Sequence, residues 1–176
     1  MDRIKLLSTE EASEKSKEVL EKISSSGARI LNIFKAMANS SAVLKTFFKI
    51  NEALEEKTIS NEIAERIAIQ MAVMNGCEYC LAAHSYSGGK ILSEEEVKLA
   101  REGKSEDKKA QAALDFAALV MKEAGKVSDE QFNNAKSAGL SEGELLEIAA
   151  IVSLNFFTNA VNNISQTKVD FPKPKV

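Results

Sequence analysis

Proline is nearly absent from this chain of 176 residues, and both copies, Pro172 and Pro174, fall in the last five positions. No internal proline interrupts a backbone N–H ladder, so long helices are permitted along almost the whole length. Strand patterning is missing too. No segment sustains period-two alternation with Val, Ile, Thr and aromatic enrichment, as a half-buried strand requires. Neither sign of charge dominates, with 23 basic residues against 26 acidic ones. That balance removes the field that would draw a phosphate backbone or an anionic bilayer, so neither nucleic acid nor a membrane is expected as a partner. The richest apolar run, Ile148 to Leu154, falls well short of the roughly 18 residues that cross hydrocarbon. Near the N-terminus only Leu6 and Leu7 stand together, too little for the apolar segment of an export signal. The expectation is a single domain over residues 1–176, soluble and cytoplasmic.

What remains is helix, and the fold class read from the pattern is all-α. Capping-box pairs announce helix starts at Ser8 with Glu11, Ser93 with Glu96, Ser128 with Gln131 and Ser141 with Glu144. Gly76, Gly88, Gly89 and Gly103 punctuate the otherwise continuous helical pattern. Periodicity predicts helices near 9–24, 30–38, 41–56, 60–75, 77–87, 93–101, 105–124, 128–137 and 141–164. The helices over 60–75 and 141–164 are apolar on nearly every side, which places them in the middle of the molecule. They align weakly at an offset of 81 residues, Ile59-Ser60 against Leu140-Ser141 and Ile67-Ala68 against Ile148-Ala149, a hint of a duplicated helix pair. The acidic run beginning at Glu94 reads as solvated helix surface, and Phe156 and Phe157 read as core or subunit contacts.

Only two cysteines and one histidine occur, and they cluster: Cys77-Glu78-Tyr79-Cys80-Leu81-Ala82-Ala83-His84. A chain of this size needs no disulfide staple, so the pair is better read as reactive or metal-binding than as structural. Positions three apart on a helix are neighbours, close enough to open and close a disulfide in place. Gly76 follows a strongly helical run and suits a left-handed termination, leaving Cys77 to begin the next helix. Free amides and the positive end of the helix dipole favour a thiolate there. His84 lies on the same stripe, four residues beyond Cys80, and an imidazole can take a thiol proton and return one to a leaving group. Glu65 would come level with His84 if the helices either side of Gly76 fold back on each other, although a surface position is the common fate of a glutamate. Tyr79, between the cysteines, is expected to point away from the stripe and pack. The bland readings of the cysteines are an inert buried pair or half a zinc site, which lacks an obvious fourth ligand.

Glu65, followed after eleven residues by Cys77-Glu78-Tyr79-Cys80 and then His84, resembles the alkylhydroperoxidase D branch of the carboxymuconolactone decarboxylase family. The segment from Ile30 to Leu44 and the region from Asn155 to Asp170 extend the likeness, which covers about 28–172. The resemblance implies an alkylhydroperoxidase D-like helical bundle, with CxxC at the N-terminus of a core helix, that assembles as trimers or hexamers. It also implies a peroxidase cycle without a cofactor. Cys80 attacks the hydroperoxide and becomes a sulfenic acid, Cys77 resolves it as a disulfide, and Glu65 and His84 relay protons. A dithiol, lipoyl-linked in the best understood branch, reopens the bond. Tyr79 stands where that branch carries a histidine, which implies a different reductant or rate. The decarboxylase branch lacks the cysteine pair, so muconolactone decarboxylation is disfavoured. A thioredoxin-type frame is excluded by the lack of a βαβ pattern. The rival expectations are a non-catalytic protein whose dithiol senses oxidation, or a metal-binding protein using the same CxxC.

Overall fold

The computed structural model describes residues 3–172. Among these, nine helices and no strand are formed: α1 (Glu14–Ser25), α2 (Asn32–Met37), α3 (Ser41–Leu54), α4 (Asn61–Met74), α5 (Glu78–Gly88), α6 (Glu94–Arg101), α7 (Lys108–Glu123), α8 (Asp129–Ser137) and α9 (Glu142–Ser165). Three of the four expected capping boxes open helices as read: Ser93 with Glu96 opens α6, Ser128 with Gln131 opens α8, and Ser141 with Glu144 opens α9.

The fourth box closes a turn, not a helix. The Ser8 amide donates to Glu11 at 3.0 Å and the Glu11 amide donates back to Ser8 Oγ at 3.4 Å. The chain then re-extends at Ser13, with ψ at 153°, and that residue is the N-cap of α1. The first helix therefore begins at Glu14, five residues later than the pattern placed it. A similar displacement occurs at α7, which begins at Lys108 where the pattern placed a start near 105, and Asp107 caps it by accepting from the Ala110 amide at 2.7 Å. In both places polar side chains, Ser8 and Glu11 in the first and Ser105 and Asp107 in the second, bond to local backbone amides and hold the chain in a turn.

The all-round apolarity of α4 has a simple cause: three separate hydrophobic clusters meet on it. Ile63, Ile67 and Met71 pack with Leu114, Phe116, Ile148 and Val152 of α7 and α9. Ala72 joins Leu20, Ile33, Met37 and Leu44 from α1 to α3, together with Cys77, Tyr79 and Cys80. Ile69 meets Leu92, Val97 and Ala100 beside α6. A helix surrounded on all sides has no solvent face to keep polar.

Helix α9 plays the matching role on the other side, and by length and composition alone it would suffice to cross a membrane. Its buried side nevertheless carries Asn155, Asn159 and Asn162, which bond within the fold. The core helix of a packed bundle meets the same length and composition test, and packing within the fold accounts for the apolar residues on the buried side of α9. Ser60 and Ser141, equivalent under the offset of 81, both cap these central helices. The two helices then diverge, because α4 stops at Met74 where α9 runs on to Ser165.

Candidate active site

The turn between α4 and α5 positions the thiols. Gly76 adopts φ of 61°, a left-handed conformation that glycine accepts without penalty. Its amide bonds to the Val73 carbonyl at 3.1 Å, and the Cys77 amide bonds to the Ala72 carbonyl at 2.9 Å. These two bonds form a Schellman termination. Cys77 therefore closes α4 and, in the same position, is the N-cap of α5. Its sulfur accepts from the Cys80 amide at 3.2 Å. The two cysteines are joined as a disulfide, with their Cα atoms 5.3 Å apart.

Helix α9 pins this turn from outside. Asn75, the last residue before Gly76, donates to Asn159 Oδ1 at 2.8 Å, and its carbonyl accepts from Asn163 at 2.9 Å. One turn further on, Asn162 Nδ2 donates to Cys80 Sγ at 3.3 Å and to the Thr158 carbonyl at 3.1 Å. Its Oδ1 is buried without a hydrogen-bond partner. Asn162 was not picked out from sequence. The signal that would have found it is a polar stripe in an apolar helix: Asn155, Asn159 and Asn162 recur at spacings of four and three, which is one helical face.

The hairpin of α4 and α5 brings Glu65 to His84, with Oε1 3.1 Å from Nδ1. Ser87, one turn beyond His84, donates its hydroxyl to the same carboxylate oxygen. Burial pushes the Glu65 carboxyl up. The hydrogen bond and charge of His84, with the Ser87 hydroxyl, more than offset this and hold it below its ordinary value of 4.5. Close helix packing makes the contact possible. A Cβ on Gly88 would stand 3.2 Å from both Glu65 Cγ and Ile69 Cδ1, so a side chain there would crowd the carboxylate stem.

Cys80 and His84 face one cavity of about 370 Å³. Its walls are mostly apolar, among them Ile33, Phe34, Phe47 and Leu154, with Asn51, Asn155 and Asn162 as polar points. Cys77 does not line it and is 1 % exposed. Cavities of this size hold compact organic molecules. Tyr79 packs, as expected, with its hydroxyl donating to Asp170 at 2.8 Å and accepting from the Ile33 amide at 3.3 Å. Burial, then the Asp170 hydrogen bond, raises its pKa and keeps the phenol protonated. Its ring also borders the cavity. Phe157 joins the core around the cysteines, while Phe156 is exposed. No group of three or more His, Cys, Asp or Glu among the described residues could hold a metal ion.

This architecture is the fold of the alkylhydroperoxidase D core. The structure matches that of an AhpD-core, peroxidase-related protein from Ralstonia eutropha JMP134 with a TM-score of 0.81 and 22% identity, over 96% of this chain and 92% of that one. A peroxidase-related protein from Silicibacter sp. TM1040 matches at 0.78 and 20% identity, over 94% and 89% of the two chains. A variant of the debrominase Bmp8 in complex with 2,3,4-tribromopyrrole matches at 0.77 and 21% identity, over 96% and 91%. No family model matches the sequence, and no curated protein does.

Proposed function

We propose that this protein is a thiol-dependent peroxidase that reduces hydrogen peroxide or organic hydroperoxides in antioxidant defence, through a Cys77/Cys80 dithiol–disulfide cycle. The observation that carries this reading is the division of the cysteines. Both are buried, but Cys80 lines an apolar cavity that it shares with a carboxylate-bound histidine, while its disulfide partner Cys77 does not.

In the cycle, the Cys80 thiolate attacks the outer oxygen of the hydroperoxide and the O–O bond breaks. The alkoxide or hydroxide takes a proton from His84, leaving Cys80 as a sulfenic acid. The Cys77 thiol then gives its proton to His84 and attacks the Cys80 sulfur, and the hydroxide it expels leaves as water with that proton, forming the disulfide. A dithiol, lipoyl-linked by the family resemblance, reduces it and closes the electron balance. Glu65 keeps the imidazole oriented and stabilises its charged form. No resident cofactor enters the cycle.

The neighbouring debrominase shows that this fold also serves other chemistry, so the assay is decisive. Turnover of cumene hydroperoxide with dihydrolipoamide should disappear in Cys80→Ser. It should fall by about 10²–10⁴-fold in His84→Ala, the usual contribution of a positioned general acid–base. Stoichiometric oxidation without turnover would favour the sensor instead, and tight zinc in the purified protein would favour a metal role. We further propose a cytoplasmic homo-oligomer, a trimer or hexamer, assembled through the outer side of α9, where Leu146, Phe156 and Ile164 are exposed.

A further inference from the structure

After α9 the chain does not leave the molecule. Gln166 turns it with φ of 49° and the Thr167 amide bonds back to the Asn162 carbonyl at 3.2 Å. The Lys168 carbonyl accepts from Asn32 Nδ2 at 2.9 Å. Asp170 is the clamp: it accepts from the Tyr79 hydroxyl at 2.8 Å and from the Asn32 amide at 3.0 Å, and pairs with Arg29 at 2.7 Å. The Arg29 guanidinium also donates to the Asp170 carbonyl. One residue on, Phe171 stands edge-on to the Tyr79 ring at 5.6 Å and lies 6.0 Å from the Tyr86 ring. It borders the cavity that holds Cys80 and His84, and it is half-buried, so it forms one side of that cavity's rim.

We propose that this tail, residues 166–171, is the wall that sets which hydroperoxides reach Cys80, with Phe171 as the specificity-determining residue and Asp170 as the residue that positions it. With the wall in place the cavity takes compact alkyl or aryl hydroperoxides in preference to long-chain fatty acyl hydroperoxides, whose tails Phe171 obstructs on its side of the rim. The clamp is anchored on Tyr79, between the two cysteines, so the side chain that distinguishes this CxxC is part of the wall. The inference rests on the reading of Cys80 as the attacking thiol.

The test compares wild type, Phe171→Ala and Asp170→Ala on cumene hydroperoxide and on linoleic acid hydroperoxide. Both variants should raise the linoleate-to-cumene ratio of kcat/KM by about tenfold, the discrimination typical of an apolar pocket. Asp170→Ala should do so with the Phe171 ring still present, which a mere lining role for Phe171 would not produce. An unchanged ratio in both variants overturns the wall. A second readout needs no peroxidase activity. In the reduced protein, the rate of Cys80 alkylation by pyrene maleimide relative to iodoacetamide, mapped by mass, should rise in both variants. A raised alkylation ratio with no turnover of any hydroperoxide upholds the wall and sinks the peroxidase. Turnover with both ratios unchanged does the reverse.

Discussion

Asn162 reaches Cys80 across 82 residues of sequence, and the contact bears on the chemistry because an N–H donated to sulfur favours the thiolate over the thiol. A hydrogen bond to a charged group contributes about 1.5–3 kcal/mol, so Asn162→Leu should raise the pH at which Cys80 ionises by about 1–2. Thiolate absorbance against pH in a Cys77→Ser background would measure it, and an unchanged titration would remove Asn162 from the machinery. Glu65 gives a pH signature of the opposite kind. Its carboxyl is held below 4.5 in the folded protein, so the folded state binds its proton less readily than the unfolded chain. The stability this contributes is complete above 4.5 and is lost as pH falls through the lower folded value. The Tm of Glu65→Gln should therefore lie below wild type near pH 7, and the gap should close on acidification. A gap constant with pH would show that the ion pair with His84 is not its origin.

Helix starts show how one motif has two outcomes. Ser141 and Ser8 both satisfy the reciprocal box geometry, yet only Ser141 opens a long helix. Ser141→Ala should cost about 1 kcal/mol in denaturant unfolding, as loss of a productive N-cap does. Ser8→Ala, which only loosens an exposed turn, should stay within about 0.5 kcal/mol. The element that matters most to the site is the α4–α5 hairpin. There the sequence was explicit: Gly76 after a strongly helical run, leaving Cys77 to begin the next helix, reads as stop and restart. The fold-back expected for Glu65 follows from that turn. Its success depended on Gly88, whose missing side chain lets α5 lie against the Glu65 stem, and nothing in the local pattern distinguishes that glycine from an ordinary helix stop.

Taken as a whole, the molecule buries two core helices and leaves one side of the longer one apolar and open. Leu146 is 74 % exposed, Ile164 59 % and Phe156 52 %, and a large apolar patch on one helix side is what an association surface presents. Sedimentation velocity should report a particle several times the 19.2 kDa of one chain. The double variant Phe156→Glu, Ile164→Glu should shift it toward the monomer, since burying unpaired charge opposes association. A monomeric wild type would refute the assembly.

The sequence by itself determined the helical class, the positions of most helix starts, the central place of α4 and α9, and the grouping of Cys77, Cys80 and His84 on one stripe. All of these follow from local rules: backbone bonding within a few residues, capping side chains, and a 3.6-residue period that places positions three and four apart together. Only the tertiary structure decided which sulfur lines a cavity, that Asn162 meets Cys80, that Ser87 shares the Glu65 carboxylate, and that Asp170 and Phe171 return to the edge of the site beside Tyr79. Those contacts join residues separated by tens of positions, and no local periodicity encodes them. They exist because three hydrophobic clusters converge on α4 and fix the distances between helices that the sequence leaves free.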